Sequence, residues 1–338
     1  MADIKKPVKK IIILDIDGGG VLGLIPLHIL KKVEELSGKN CSDIFTAFSG
    51  VSTGAIIVAA LNMPDDGGEG FKYTATSFSK ELPKFLPKIF QRSLWYRIKT
   101  LGGLIAPIYE GKAKASAIES IFGTTTMTQF KKVVSIATSD LNDPSGIIFG
   151  VNQYFHLGTL YKGIDFYVKD TVNASTATPI FFPSALTRAL NGQKDFNLVD
   201  GSVALNTQPL INMTGYMRDN KDAEIHILSL GTHQPNISNY TKVVNCGILK
   251  WGTKITELTI TGTLRNSVDI VRFIFKEIPQ VKQFVRLSPI IPPKIQSIFQ
   301  SQPKHLEIVT EFAEQFAEEC IPQLQQFLDG INGPKAIS

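Results

Sequence analysis

Residues 11–23 read IIILDIDGGGVLG, and the fold turns on how that stretch is parsed. Four consecutive apolar residues followed by an Asp-Ile pair suit a strand buried on both faces, the situation of a parallel sheet covered by helices. The glycine cluster breaks the strand. A helix is then expected from about Leu24 to Ser37, with Leu27, Leu30, Val33 and Leu36 recurring every third residue, Pro26 in the tolerated first turn and Gly38 at its end. The same strand-turn-helix order repeats at once. Phe45 to Ser49 reads as a short strand and Thr53 to Leu61 as a helix of small residues, with Gly50-Val51-Ser52-Thr53-Gly54 between them. Further strands are predicted at Val133 to Thr138, Ile147 to Val151, Asp165 to Val168 and Ile225 to Leu230. The alternation predicts an α/β protein: a three-layer α/β/α domain on a mainly parallel central sheet.

After Gly231 the texture turns helical, interrupted by Pro279, Pro289, Pro292, Pro293 and Pro303. The final helix is expected over His305 to Asp329, where Leu306, Val309, Ala313, Phe316 and Cys320 form a stripe that reads best as packing on its own domain. The division expected is a catalytic core over residues 1–232 and a mostly helical region over 233–338, part of the same domain.

Composition narrows the function. The 338 residues are 43% hydrophobic and 19% charged, as in ordinary globular proteins. Thirty-five basic against 30 acidic residues give a net charge of +5, scattered along the chain. That argues against nucleic acid as a partner and is compatible with attraction to an anionic membrane. Cys41, Cys246 and Cys320 are far apart, lack any metal-ligand spacing and read as buried small apolar residues. No metal and no cofactor is implied. The N-terminus shows no signal-peptide pattern and no run of eighteen apolar residues occurs, so the protein is expected to be cytoplasmic and peripheral at membranes, with export lacking a cleaved signal left open. Oligomeric state is not legible.

Three blocks carry chemistry. Gly50 to Gly54 is a G-x-S-x-G between a strand and a helix. A serine in that sharp turn presents its Oγ outward, and glycines are needed where a Cβ would crowd it. Asp17-Gly18-Gly19-Gly20-Val21-Leu22-Gly23 lets consecutive backbone N–H groups converge on an anion, as an oxyanion hole requires. Gly18, Gly20 and Gly23 also satisfy a dinucleotide G-x-G-x-x-G, but Asp43, the acidic residue at the right distance, follows a loop and not a strand. The third block, Asn197-Leu198-Val199-Asp200-Gly201-Ser202, is an Asp-Gly turn after a short apolar run, and Asp200 is a candidate base for the first two.

These residues resemble the patatin-like phospholipases, which couple a DGGGxxG loop, a G-x-S-x-G nucleophile and an Asp-Gly-Gly/Ala base in that order. Pro107 to Lys112, Ala174 to Pro179 with Phe182-Pro183, and Ser229 to Thr232 add to the likeness, which is firm over about residues 10–232. The resemblance implies a Ser52–Asp200 dyad without histidine, Gly18, Gly19 and Gly20 as oxyanion donors, Asp17 ordering the loop, and Gly23, Gly50, Gly54 and Gly201 as supporting glycines. It implies lipid acyl hydrolysis of the phospholipase A, lysophospholipase or galactolipase type, on a lipid substrate at a membrane or micelle surface. Two positions depart from the pattern: Leu22 stands where Arg or Lys is common, and Ser202 where Gly or Ala is.

Two alternatives stay open. His233 alone has the Ser…Asp…His order of an ordinary triad esterase on soluble esters. A noncatalytic storage or interaction protein could keep the fold. Lys84 to Lys99 interleaves cations with aromatics, with Phe85, Ile89 and Tyr96 on one helical face and Lys84, Lys88 and Arg92 on the next, which suits either a surface helix or the edge of a membrane.

Overall fold

The computed structural model describes residues 9–143, 145–204, 221–234 and 267–332, with the single positions 247, 251, 258 and 262 between. Cys246 lies outside these residues.

The stretch 11–23 begins as expected. Strand β1 (Lys10–Ile16) is central in the sheet, parallel to β2 (Ala47–Val51) on one side and to β9 (Glu224–Leu230) on the other. Its side chains alternate between two cores. Ile11 and Ile13 pack with Ile225, Ile227, Val271 and Phe275, while Leu14 and Ile16 join the large cluster under the helices of the other face. Two apolar faces explain why the strand is apolar throughout. The layers are thus helix, sheet, helix.

The sheet is mixed. Its parallel part runs β10 (Val281–Leu287), β9, β1, β2 and β3 (Val133–Asp140). Beyond β3, the strands β4 (Ser145–Gly150), β5 (Gln153–His156) and β6 (Thr159–Lys162) form an antiparallel meander. The hairpin β7 (Ala185–Arg188) and β8 (Asp195–Asp200) joins through β8, antiparallel to the last residues of β3.

Helix α1 (Leu24–Ser37) ends at Gly38, which adopts the left-handed conformation, φ 66°. From α1 the buried Glu34 carboxylate accepts the N–H of Cys41 at 3.1 Å, opening α2 (Cys41–Ile44), and those of Ala75 and Thr76 at 2.9 Å each, opening α4 (Ala75–Ile89). One carboxylate therefore caps two helix N-termini. Helix α3 (Thr53–Leu61) follows β2 and is buried along its whole length.

Three expectations need correction. Asp165 to Val168 is not a strand. Val168 instead opens helix α7 (Val168–Ser175), past α5 (Leu94–Lys99) and α6 (Gly111–Phe122). The 84–99 face is divided, since α4 stops at Ile89 and α5 starts at Leu94. The region after Gly231 is mostly helical, as expected, and also supplies β10, which extends the parallel sheet. The final helix is two, α8 (Pro303–Glu319) and α9 (Ile321–Asn332), parted at Cys320 with Pro322 in the first turn of α9. The stripe of α8 faces inward: Leu306, Val309, Ala313 and Cys320 are buried in the main core, and α8 packs on α1.

Candidate active site

The topology brings two strand ends together. Parallel β2 ends with Val51 opposite Ala137 of β3, and antiparallel β8 ends with Asp200 opposite Thr138. Both lie along the same stretch of β3, so residue 52, leaving β2, meets residue 200, arriving from the opposite direction.

Ser52 has φ 54° and ψ −124°, a strained conformation for a residue with a Cβ. The flanking glycines are what the turn leaves room for: a Cβ on Gly50 would lie 2.5 Å from the Gly54 carbonyl carbon, and one on Gly54 2.8 Å from the Asp17 carbonyl oxygen. The Ser52 N–H donates to Ser175 Oγ at 2.9 Å, and that hydroxyl donates to the Ala137 carbonyl at 2.7 Å. The end of α7 thus ties the elbow to β3.

The Ser52 hydroxyl lies near enough to the Asp200 carboxylate to favour its ionised form. Asp200 is 1% exposed. Its Oδ1 accepts the Ser202 N–H at 3.0 Å and the Ser202 hydroxyl at 2.8 Å, and its Oδ2 accepts the Thr178 hydroxyl at 2.8 Å. Burial pushes the Asp200 carboxyl above its ordinary range, and the Ser202 hydrogen bonds, the nearby Ser52 hydroxyl and the Thr178 hydrogen bond pull partway back. No histidine is among these described partners. His233 Nδ1 lies 3.1 Å from Thr232 Oγ1, in the loop after β9. Gly201 supports Asp200 sterically, since its Cβ would lie 2.5 Å from the Ala137 carbonyl oxygen.

The glycine loop passes over Ser52. A Cβ on Gly18 would sit 2.8 Å from Ser52 Cβ, on Gly19 2.6 Å from Thr232 Cβ, on Gly20 against the Ile298 carbonyl, and on Gly23 3.0 Å from Thr53 Cβ. The N–H groups of Asp17, Val21 and Leu22 are bonded to the carbonyls of Leu230, Ile298 and Gly19. Among the described residues, those of Gly18, Gly19 and Gly20 carry no backbone partner. Their carbonyls are pinned instead, Gly18 by the Thr232 hydroxyl at 2.7 Å and Gly20 by the Thr53 hydroxyl at 2.8 Å. Leu22 is fully buried in the main core, so a cation placed there would have to enter that core.

Asp17 has a partner the sequence did not reveal. Arg286 of β10 pairs with both its carboxylate oxygens and donates to Ser229 Oγ at 2.8 Å. Behind it, Asp15 is buried and accepts from Ser49 Oγ at 2.8 Å and Ser229 Oγ at 3.0 Å. Burial, and then the charge of Asp17, raise the Asp15 carboxyl to about 7.

Lys114 of α6 is a second unforeseen group. Fully buried, it donates to the Asn173 carbonyl at 2.7 Å and to Thr176 Oγ1 at 3.1 Å, with its Nζ 4.8 Å from the Phe182 ring centre. Burial lowers this amine to about 7, against the pull of the Asp200 charge. It steadies the C-terminal end of α7, beside Ser175 and Thr178. A small cleft opens at Ser52 and Gly20, walled by Ile56, Leu86, Ile89, Phe90, Phe182 and Phe299. Such walls suit an acyl chain.

A family model described as patatin-like phospholipase matches residues 14–211. Patatin-like protein 2 of Oryza sativa subsp. indica is 34% identical over 220 residues, which cover 61% of this chain and 53% of that protein. The chain therefore spans about half the length of that relative. The probable inactive patatin-3-Kuras 1 of Solanum tuberosum is 25% identical over 305 residues, 81% of this chain and 77% of that protein. Human GIVD cytosolic phospholipase A2 is a looser structural likeness, with 10% identity and a TM-score of 0.49 over 96% of this chain and 60% of that one.

Proposed function

The chain belongs to the patatin-like phospholipase family, and from that premise we propose that it hydrolyses lipid acyl esters, with Ser52 as nucleophile and Asp200 as the base. The observation that carries this reading is the approach of the Ser52 hydroxyl to the carboxylate of a buried Asp200. A carboxylate is an intrinsically weaker base than imidazole, and exclusion from water brings its basicity closer to what the task needs. Ser52 Oγ attacks the ester carbonyl as its proton passes to Asp200. The oxyanion is held by the N–H groups of Gly18, Gly19 and Gly20. Collapse expels the alcohol, which takes the proton from Asp200 and leaves an acyl-enzyme. Water, giving a proton to Asp200, attacks the acyl-enzyme, and collapse frees the acid as Ser52 Oγ takes that proton back from Asp200.

The substrate is of the phospholipase A, lysophospholipase or galactolipase class, met at a membrane or micelle surface. The enzyme works as a peripheral protein of the cytoplasmic side, with residues 1–232 as catalytic core and 233–338 completing the same domain. Among the described residues, no helix is long and apolar enough to cross a membrane. A storage or interaction protein keeping only the fold would have no use for glycine N–H groups that lack a backbone partner among the described residues, beside a strained serine.

Turnover of a soluble chromogenic ester tests the assignment. Ser52→Ala should leave a folded protein with no hydrolysis above background. Asp200→Asn should do nearly the same, because an amide cannot take the proton, whereas His233→Ala should stay active. Near-normal activity in Asp200→Asn together with its loss in His233→Ala would replace the dyad with the triad.

A further inference from the structure

Between Phe90 and Tyr109 the chain leaves the domain and returns to the place it left. The two rings touch at 5.5 Å, the Glu110 N–H reaches the Gln91 carbonyl at 3.4 Å, and the Glu110 carboxylate accepts the Ser93 N–H at 2.9 Å. The returning segment is stitched to residues beside the cleft, Ile108 N–H to the Ile180 carbonyl at 3.0 Å and Tyr109 N–H to the Phe181 carbonyl at 2.9 Å. Phe90 itself lines the cleft at Ser52, together with Leu86 and Ile89 of the helix that precedes it. The excursion thus stands on the wall of the cleft.

Its outer side is apolar without being covered. Leu94, Trp95, Ile98, Leu101, Leu104 and Ile105 are each 59 to 79% exposed, six large apolar side chains within twelve residues. Scattered exposed residues need no explanation, but a run of this kind marks an interaction surface. Charge decides which. From Leu82 to Tyr109 the sequence holds Lys84, Lys88, Arg92, Arg97 and Lys99 and no acidic residue at all. Lys84, Lys88, Arg97 and Lys99 are exposed. A tryptophan and aliphatic tips with an excess of cations beside them match a surface with negative head groups above an apolar interior.

We propose that residues 91–109 are the docking element of this protein for anionic lipid surfaces, seating the mouth of the Ser52 cleft on the bilayer that holds the substrate. The inference rests on the lipid-hydrolase reading for its purpose, and not for its test.

Binding is measured on the full chain carrying Ser52→Ala, so that lipid is not consumed, with vesicles of phosphatidylcholine alone or mixed with phosphatidylserine. Wild-type surface residues should give sedimentation with the mixed vesicles. Trp95 emission, read in a Trp251→Phe background, should shift to the blue. Arg97→Gln with Lys99→Gln should weaken binding roughly tenfold or more. Trp95→Ser, Ile98→Ser and Leu104→Ser together should weaken it at least as much. With Ser52 restored, these variants should hydrolyse the soluble ester at the parent rate. Unchanged vesicle binding in the apolar variant, or a Trp95 spectrum indifferent to vesicles, refutes the proposal. So does a lipid-free dimer that the apolar substitutions split, since the patch would then be covered by a second copy. Failure of the parent to turn over the soluble ester would count against the catalytic reading and leave the docking result standing.

Discussion

Replacing Gly19 by Ala probes the glycine loop where its surroundings are least yielding. The added methyl would lie 2.6 Å from Thr232 Cβ and closer still to its hydroxyl, whereas ordinary contact begins at 3.4 Å. Thr232 is fully buried, and its hydroxyl already holds the Gly18 carbonyl, so it cannot swing aside. The loop must retreat by roughly 0.8 Å, the difference between those two distances. Displacing donors by about 1 Å costs a factor of about 100 in rate, and loss of one oxyanion donor costs about 100- to 1000-fold in kcat. The expected result is therefore a kcat lower by about two orders of magnitude with KM nearly unchanged, because the donors act on the transition state. Steady-state kinetics on a soluble ester measure both constants, and a circular dichroism melt confirms that the variant folds. Thr232→Gly in the same chain removes the colliding atoms and should recover part of the lost kcat. A change confined to KM would mean that the loop binds a ground-state group, and an unchanged kcat would remove Gly19 from catalysis.

Ser202→Ala restores a small residue at the departing position and deletes the hydroxyl bonded to Asp200 at 2.8 Å. That hydrogen bond favours the ionised carboxylate, so losing it raises the Asp200 carboxyl further and should move the acid limb of the kcat/KM profile to higher pH; a limb that stays put or falls would contradict the role given to Asp200. Asp15 makes a separate prediction about stability. Its carboxyl stands at about 7 in the folded protein against 3.8 as the ordinary value, so between those values the folded state binds more protons than the unfolded one. Unfolding free energy should then fall as pH rises from about 4 to about 7, by a few kcal/mol at most, and level off above. Urea titrations across that range should show the decline in wild type and its loss in Asp15→Asn.

Much of the site was written locally. The glycines of the 17–23 and 50–54 blocks and Gly201 could be recognised because their need is steric and arises within a few residues: a turn this tight has no space for Cβ atoms. The two-faced apolar run of β1 and the small-residue helix α3 are legible for the same reason, since burial on a repeating period is a property of neighbours in sequence. Segments without such a period misled. Asp165 to Val168 has a strand-like composition, yet Val168 begins a helix, and β10 was hidden in a region whose prolines and residue spacing suggested mostly helix. The His305 to Asp329 stripe was real, but nothing in its spacing announced the break at Cys320.

What only the tertiary structure decided is how the site is held. Ser175 reaches Ser52 across 123 positions of sequence, and Arg286 reaches Asp17 across 269. Lys114 supports the end of α7 from a helix whose own sequence gives no reason for a buried amine. These are single polar contacts between remote elements, and each depends on burial, which strengthens a hydrogen bond and penalises its absence. Residue type and spacing carry no record of that burial. The chain's local stereochemistry thus determined which atoms could do chemistry, while the order of strands around β3, placing Val51 and Asp200 beside successive residues, decided that they would meet.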